Sequence, residues 1–216
     1  MSYKNCPNCE KKMDGLLTSR HILSESTTTI INSFHSPKSE AYCNSCGINI
    51  IAEKKVLVDS AKASLMSEIE TLIGAIPIIT IQQPIKWDYR ILGLISAQSI
   101  SGTGFLSELS GSWADFTGGQ SSTLANKVSS GEDICKKKLR LTCALHGGNA
   151  IIGTDIDYSE VGGGKGMLMV CMAGTAVNVK LNNEDFDSKT ERLELLASKV
   201  KELNALPNLN HSEYYS

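Results

Sequence analysis

The sequence predicts an α+β protein: a small β-sheet with packed helices, preceded by a small cysteine-held ribbon. Three observations carry this. Two Cys-x-x-Cys pairs fall within the first 46 residues. Segments rich in β-branched residues recur at 78–81, 90–100, 150–158 and 167–179. Between and around them, apolar residues return at helical spacing.

The bulk numbers suit a soluble globular chain. Its 216 residues are 41% hydrophobic and 20% charged, with a formal net charge of −2. A balance so close to neutral provides no global basic field for nucleic acid. The longest nearly continuous apolar run, Leu72 to Ile81, is about half the length of a membrane-spanning helix and contains Pro77. The start, MSYKNCPNCEKK, lacks the apolar core of a signal peptide. A cytoplasmic location is therefore expected, with the seven cysteines present as thiols or metal ligands.

Residues 1–55 form the first expected unit. They hold four of the seven cysteines and carry 7 Lys/Arg against 5 Asp/Glu, a surplus of +2. Cys6-Pro7-Asn8-Cys9 and Cys43-Asn44-Ser45-Cys46 are two knuckles, and four thiolates are a preferred tetrahedral set for Zn²⁺. A two-residue gap lets one turn present both sulfurs, and Gly47 can supply a positive φ. The 33 residues between the pairs exceed the usual gap, and the Ser/Thr-rich stretch Ser24 to Ser39 is expected to be a hairpin or loop. The expected site is a structural zinc ribbon with Cys6, Cys9, Cys43 and Cys46 as ligands. A redox reading is weaker, because neither pair is expected to open a helix after a strand. His21 and His35 are expected at the surface.

Residues 56–77 form a helical connector. Leu65, Ile69, Leu72, Ile73 and Ile76 mark a helix over 59–76 that Pro77 stops. In the third unit, 78–180, strands are expected at Ile78–Ile81 and Arg90–Ile100. A helix follows with Phe105, Leu106, Leu109, Trp113 and Phe116 on one stripe, ended by Gly118-Gly119. A second helix carries Leu124, Val128, Cys135, Leu139 and Thr142, with Gly131 on the same face for close packing. Strands Ala150–Tyr158 and Met167–Val179 complete the unit. Residues 181–216 hold a short helix with Leu193, Leu196, Val200 and Leu203, opened by a capping box Ser188-x-x-Glu191, and a flexible tail after Pro207.

The loop Gly162-Gly163-Gly164-Lys165-Gly166 invites a phosphate-binding reading. A Walker A loop needs Gly at the position of Ser159 and Ser/Thr at that of Gly166, and it opens a helix; here the loop joins two strands. A hairpin connection is expected instead. Alternation places Ile152, Thr154, Ile156 and Tyr158 on one face of the first strand, and Asp155 and Asp157 on the other with Gly153. Asp155, Asp157 and Lys165 form a candidate ligand or cation site. In the second strand both faces are apolar: Met167, Met169, Cys171 and Ala173 on one, Leu168, Val170 and Met172 on the other. Helices can cover one face; a second copy of the chain is the expected cover for the other.

The segments GLISAQSISGTGFLSEL, DFTGGQSS and GGNAIIGTDIDYSEVGGGKGMLMVCMAGTAV together resemble the YbjQ-like family, described as heavy-metal-binding, over about residues 79–180. The resemblance implies an α+β domain that assembles as a ring of identical subunits, a pentamer. It brings no catalytic residues with it. Gln120 and Leu124 stand where the family has an arginine and an aromatic, so a contact made there by relatives is not expected here.

Soft ligands in this domain, Cys135, Cys143 and His146 on one helix with Met167, Met169 and Cys171, are expected to be mainly core. The functional expectation is a non-enzymatic homo-oligomeric binding or scaffold protein with a structural zinc site in each subunit. One alternative is a zinc-ribbon adaptor for nucleic acid or protein, for which +2 is a thin surplus. Another is an enzyme using Asp155 and Asp157, for which no nucleophile, base and orienting group are placed together.

Overall fold

A computed structural model describes residues 3–15, 18–101, 120–161, 167–182 and 184–209. The chain divides into two compact units, Met1–Ser64 with Ala205–Ser216, and Leu65–Asn204.

The first unit begins with the Cys6–Cys9 knuckle. An antiparallel bridge Asn5↔Lys12 closes it, and β1 (Asp14–Gly15) and β2 (Thr18–Ser19) pair just beyond. The Ser/Thr-rich insert is not the expected hairpin or loop: α1 (Glu25–Phe34) occupies it. Ser24 caps this helix, its Oγ accepting from the Thr27 N–H at 3.2 Å. Ile31 is fully buried in a small core with Leu23, Tyr42 and Ile51, so packing overrides the weak helix propensity of three successive threonines.

Helix α2 (Asn44–Leu72) starts far ahead of the expected residue 59. The second knuckle opens it, so this unit is built from short β-bridges and two helices rather than as a simple ribbon. Gly47 lies inside α2, not in a left-handed turn. Its role is clearance, since a Cβ there would meet Leu23 Cδ1 at 2.4 Å. In the second unit, α2 ends as expected before Pro77, through one 3₁₀ turn at Ile73–Ala75.

The second unit is a three-stranded antiparallel sheet in the order β3-β5-β4, with β3 at Tyr89–Ser101, β4 at Ala150–Val161 and β5 at Met167–Val179. The expected strand at 78–81 is reduced to a parallel bridge, Ile78↔Ile151. Its backbone still bonds beside β4, through Ile79 N–H to the Ile151 carbonyl and Thr154 N–H to the Ile79 carbonyl. The β4–β5 pair is the expected hairpin, running from Val161↔Met167 back to Ala150↔Val177 with one register shift between Ile152 and Asp155. The loop glycines 162–166, including Lys165, lie outside the described residues, as does the stripe Phe105–Phe116.

Helix α3 (Gln120–Leu145) covers one face of this sheet. Cys135, Leu139 and Cys143 pack with Ile95 and Ala97 of β3, Ile151 of β4 and Val170, Met172 and Ala176 of β5. Gly131 sits on this stripe as expected: a Cβ would lie 2.7 Å from Val170 Cγ2. Gly131→Val should therefore overpack the helix–sheet contact and lower stability by about 1–3 kcal/mol, read as a reduced denaturant midpoint. An unchanged midpoint would show that Val170 can yield.

One face assignment is corrected. The β4–β5 register shifts between Ile152 and Asp155, where Gly153 adopts φ +58°. The extra residue resets the alternation. Ile152 lies opposite Thr175 and Asp155 opposite Ala173, on the same side of the sheet.

The expectation that both faces of β5 are buried holds for one. Val170, Met172, Gly174 and Ala176 are buried, whereas Met167, Met169, Cys171, Ala173 and Thr175 are only half-buried. Beside them on β3, Leu94 and Ile100 are 78% and 49% exposed. Helix α4 (Thr190–Ala205) buries Leu193, Leu196 and Val200 as expected. It opens at Thr190, with the Leu193 N–H on the Lys189 carbonyl, so the expected Ser188 capping box falls ahead of the helix. No helix among the described residues is long and apolar enough to cross a membrane.

Candidate metal centre

The first knuckle is shaped by backbone bonds. The Glu10 N–H bonds to the Cys6 carbonyl at 2.9 Å, and the Cys6 N–H to the Lys11 carbonyl at 2.9 Å. Glu10 takes φ +58° to close the turn. The left-handed residue expected at Gly47 is thus found in the other knuckle, on a side chain for which it costs about 1–2 kcal/mol. Nothing in the residue type advertised it.

The second knuckle is anchored by the Ile22↔Cys43 bridge, and Cys46 stands in the first turn of α2. The expectation that neither pair opens a helix is corrected for this one. Cys46 Sγ donates back to the Cys43 carbonyl at 3.6 Å.

These two turns bring all four sulfurs within 4.8 Å of one another. Cys6 and Cys46 Sγ are 3.6 Å apart, Cys43 and Cys46 3.6 Å, and Cys9 and Cys43 3.8 Å. Bonds of about 2.3 Å at tetrahedral angles place sulfurs about 3.8 Å apart, and these three separations match that spacing. The Cys43 N–H points at Cys6 Sγ at 3.3 Å, a bond that favours thiolate.

The thiols also respond to one another. Burial pushes Cys6 up, but the Cys9, Asn8 and Cys43 backbone N–H groups outweigh it and hold the thiol down at about 6. Burial, with Cys43 and Cys6 alongside, pushes Cys46 up to about 12, and burial also raises Cys9. One sulfur readily holds charge while its neighbours keep protons, and a bound cation would displace those protons. Cys6 and Cys43 are buried; Cys9 and Cys46 are half-buried. Among the described residues this is the one cluster of His, Cys, Asp and Glu side chains close enough to hold a metal.

The other candidates are not brought together. Cys135 and Cys143 lie in the core, as expected, donating to the Val170 carbonyl at 3.3 Å and the Ala150 carbonyl at 3.4 Å. Burial pushes the Cys143 thiol up to about 12. Met167, Met169 and Cys171 are on the opposite side of the sheet, and His146 is exposed. The expectation that they are core filler holds for the helix cysteines and not for this stripe. In the single chain, alkylating reagent should reach Cys171 well before Cys135 or Cys143, as mass spectrometry of a dissociated sample would show; equal rates there would contradict the burial.

Asp155 and Asp157 are exposed on the open face, opposite Ala173 and Cys171. Asp157 Oδ1 accepts the Tyr158 N–H at 2.9 Å. Sequence reasoning overlooked Tyr158, whose hydroxyl donates to Glu132 Oε1 at 2.8 Å while Lys136 binds Oε2 at 2.9 Å. The Lys136 bond first, then that of Tyr158, holds the Glu132 carboxyl below its usual range. This joins α3 to β4.

The segment that builds the sheet, residues 78–180, matches the family model described as "Putative heavy-metal-binding". A UPF0145 protein of Clostridium botulinum (strain Alaska E43 / Type E3) is 34% identical over 85 residues, covering 39% of this chain and 80% of the relative. A second, from C. botulinum (strain Eklund 17B / Type B), matches to the same extent. A solved structure from Pediococcus pentosaceus ATCC 25745, of unknown function and assigned to the DUF74 family, is 23% identical with a TM-score of 0.34. It covers 48% of this chain and 96% of that one. The chain belongs to the YbjQ-like, UPF0145 family. The four-cysteine centre lies outside the matched segment, so the family's description and this chain's metal site concern different residues.

Proposed function

We propose that this chain is a non-enzymatic homo-oligomeric binding or scaffold protein, a ring of five identical subunits, each with one structural Zn²⁺ held by Cys6, Cys9, Cys43 and Cys46. The observation that carries assembly is the open sheet face. Leu94, Ile100, Met169 and Ala173 present apolar surface beside a sheet whose other face is covered by α3. A second copy is the occupant that buries such a face repeatedly and closes into a ring through a heterologous contact. The count of five rests on the family resemblance. The all-sulfur set supports zinc and leaves no open position for catalysis; the ion's bonds would hold the two knuckles together.

The experiment is light scattering with metal analysis on the full-length protein. A multimeric mass with one zinc per chain is expected. A monomer at micromolar concentration overturns the assembly, and a protein purified without metal overturns the zinc centre.

A further inference from the structure

We propose that the four-cysteine centre is also an oxidation site at which a hydroperoxide converts Cys46 and one neighbour to a disulfide, discharging the metal. This rests on the metal reading above and adds a modification to it. Two features single out Cys46. It is half-buried, so a small oxidant can reach it, whereas Cys6 and Cys43 are buried. It also has two neighbours at 3.6 Å, Cys6 Sγ and Cys43 Sγ, while Cys43, the other sulfur with two close neighbours, is buried. Cys9 is also half-buried, but its approach to Cys43 is longer, 3.8 Å. A disulfide closes at about 2.05 Å, so an approach of about 1.6 Å suffices, within a knuckle or between the two.

The chemistry balances in two steps. The Cys46 thiolate attacks one peroxide oxygen, the O–O bond breaks, and with one proton the products are a sulfenic acid and water. The Cys6 or Cys43 thiolate then attacks that sulfur, an S–S bond forms, the S–O bond breaks, and a second proton carries the oxygen away as water. Two electrons pass from the sulfurs to the peroxide. The remaining pair of thiolates offers two ligands where four are needed. A thiol reductant reverses the step by exchange.

The test uses the full-length, metal-loaded protein and hydrogen peroxide. Released zinc is read with a metallochromic dye, and disulfides are mapped by mass spectrometry after alkylation. One zinc ion freed for every two thiols lost is expected, with Cys46 linked to Cys6 or Cys43 and the metal retaken after reduction. His146→Ala, a change at an exposed residue outside both the four-cysteine centre and the open sheet face, should leave this unchanged. Metal lost while Cys46 stays alkylatable, a Cys9–Cys43 link, or metal retained while oxidation falls on Cys171 would each overturn the proposal. If the protein carries no metal as purified, the zinc reading fails, and disulfide mapping of the free thiols still decides whether Cys46 is the oxidised sulfur.

Discussion

Replacing Cys6, Cys9, Cys43 and Cys46 together by serine should abolish metal binding and unfold the knuckles and α1, while β3, α3, β4 and β5 stay folded. The knuckle region has little else to hold it. Its core is Leu23, Ile31, Tyr42 and Ile51, with Cys6, Met13 and Cys43 in a second small cluster that is itself partly the site. Structural zinc contributes roughly 10–16 kcal/mol in isolated fingers, about the whole stability margin of an ordinary domain. Metal analysis reads the first part of the result and hydrogen exchange the second. A full zinc equivalent on the serine variant would refute the ligand assignment. Retained protection over residues 25–34 without metal would show that α1 stands on its own packing.

Met172→Glu unfolds the sheet domain, whereas Met169→Glu leaves it folded and lowers the mass of the assembly. The two residues lie three positions apart on β5, on opposite faces, and differ in what covers them. Met172 is buried beneath α3, and Met169 is half-buried on the open side. A carboxylate buried without a partner costs several kcal/mol, enough to exhaust a margin of about 5–15 kcal/mol. At Met169 the charge stays hydrated in the single chain and is desolvated only if a second copy docks there. Circular dichroism and light scattering on both variants separate the effects. An intact oligomer of Met169→Glu would place the subunit contact elsewhere.

The features legible in the sequence were those set by short-range chemistry. Two Cys-x-x-Cys pairs are readable because coordination demands that spacing, and Tyr89–Ser101 and Met167–Val179 because their β-branched runs have no helical period. The Gly131 close approach was readable from its place on the Cys135–Leu139 stripe. What escaped was settled by distant partners. Thr27 and Thr28 argue against a helix locally, yet α1 forms because Ile31 meets Tyr42 and Ile51. The first turns of α2 lack a strong amphipathic pattern and are started by the knuckle beneath them. Glu10 adopts a left-handed conformation because the Cys6–Lys11 bonds close the turn around it. Asp155 and Asp157 were correctly put together, but Ile152 was put on the wrong side, because a single inserted residue leaves no mark in composition.

That inserted residue is the place where β4 can lose a residue without losing its register. β4 sets the twelve residues Ala150–Val161 against β5 from Met167 to Val177, one fewer. Removing Gly153 would match the two strands one to one, so Ile152 and Asp155 would keep their partners Thr175 and Ala173 and their side of the sheet while β4 straightened. What would go is the Gly153 N–H bond to the Ile81 carbonyl. Gene variants that lose this one codon should therefore be tolerated at least as well as those that substitute it, since substitution forces a side chain into φ +58°. Relatives aligned without a gap here should keep the acidic pair and the open face on the same side of the sheet.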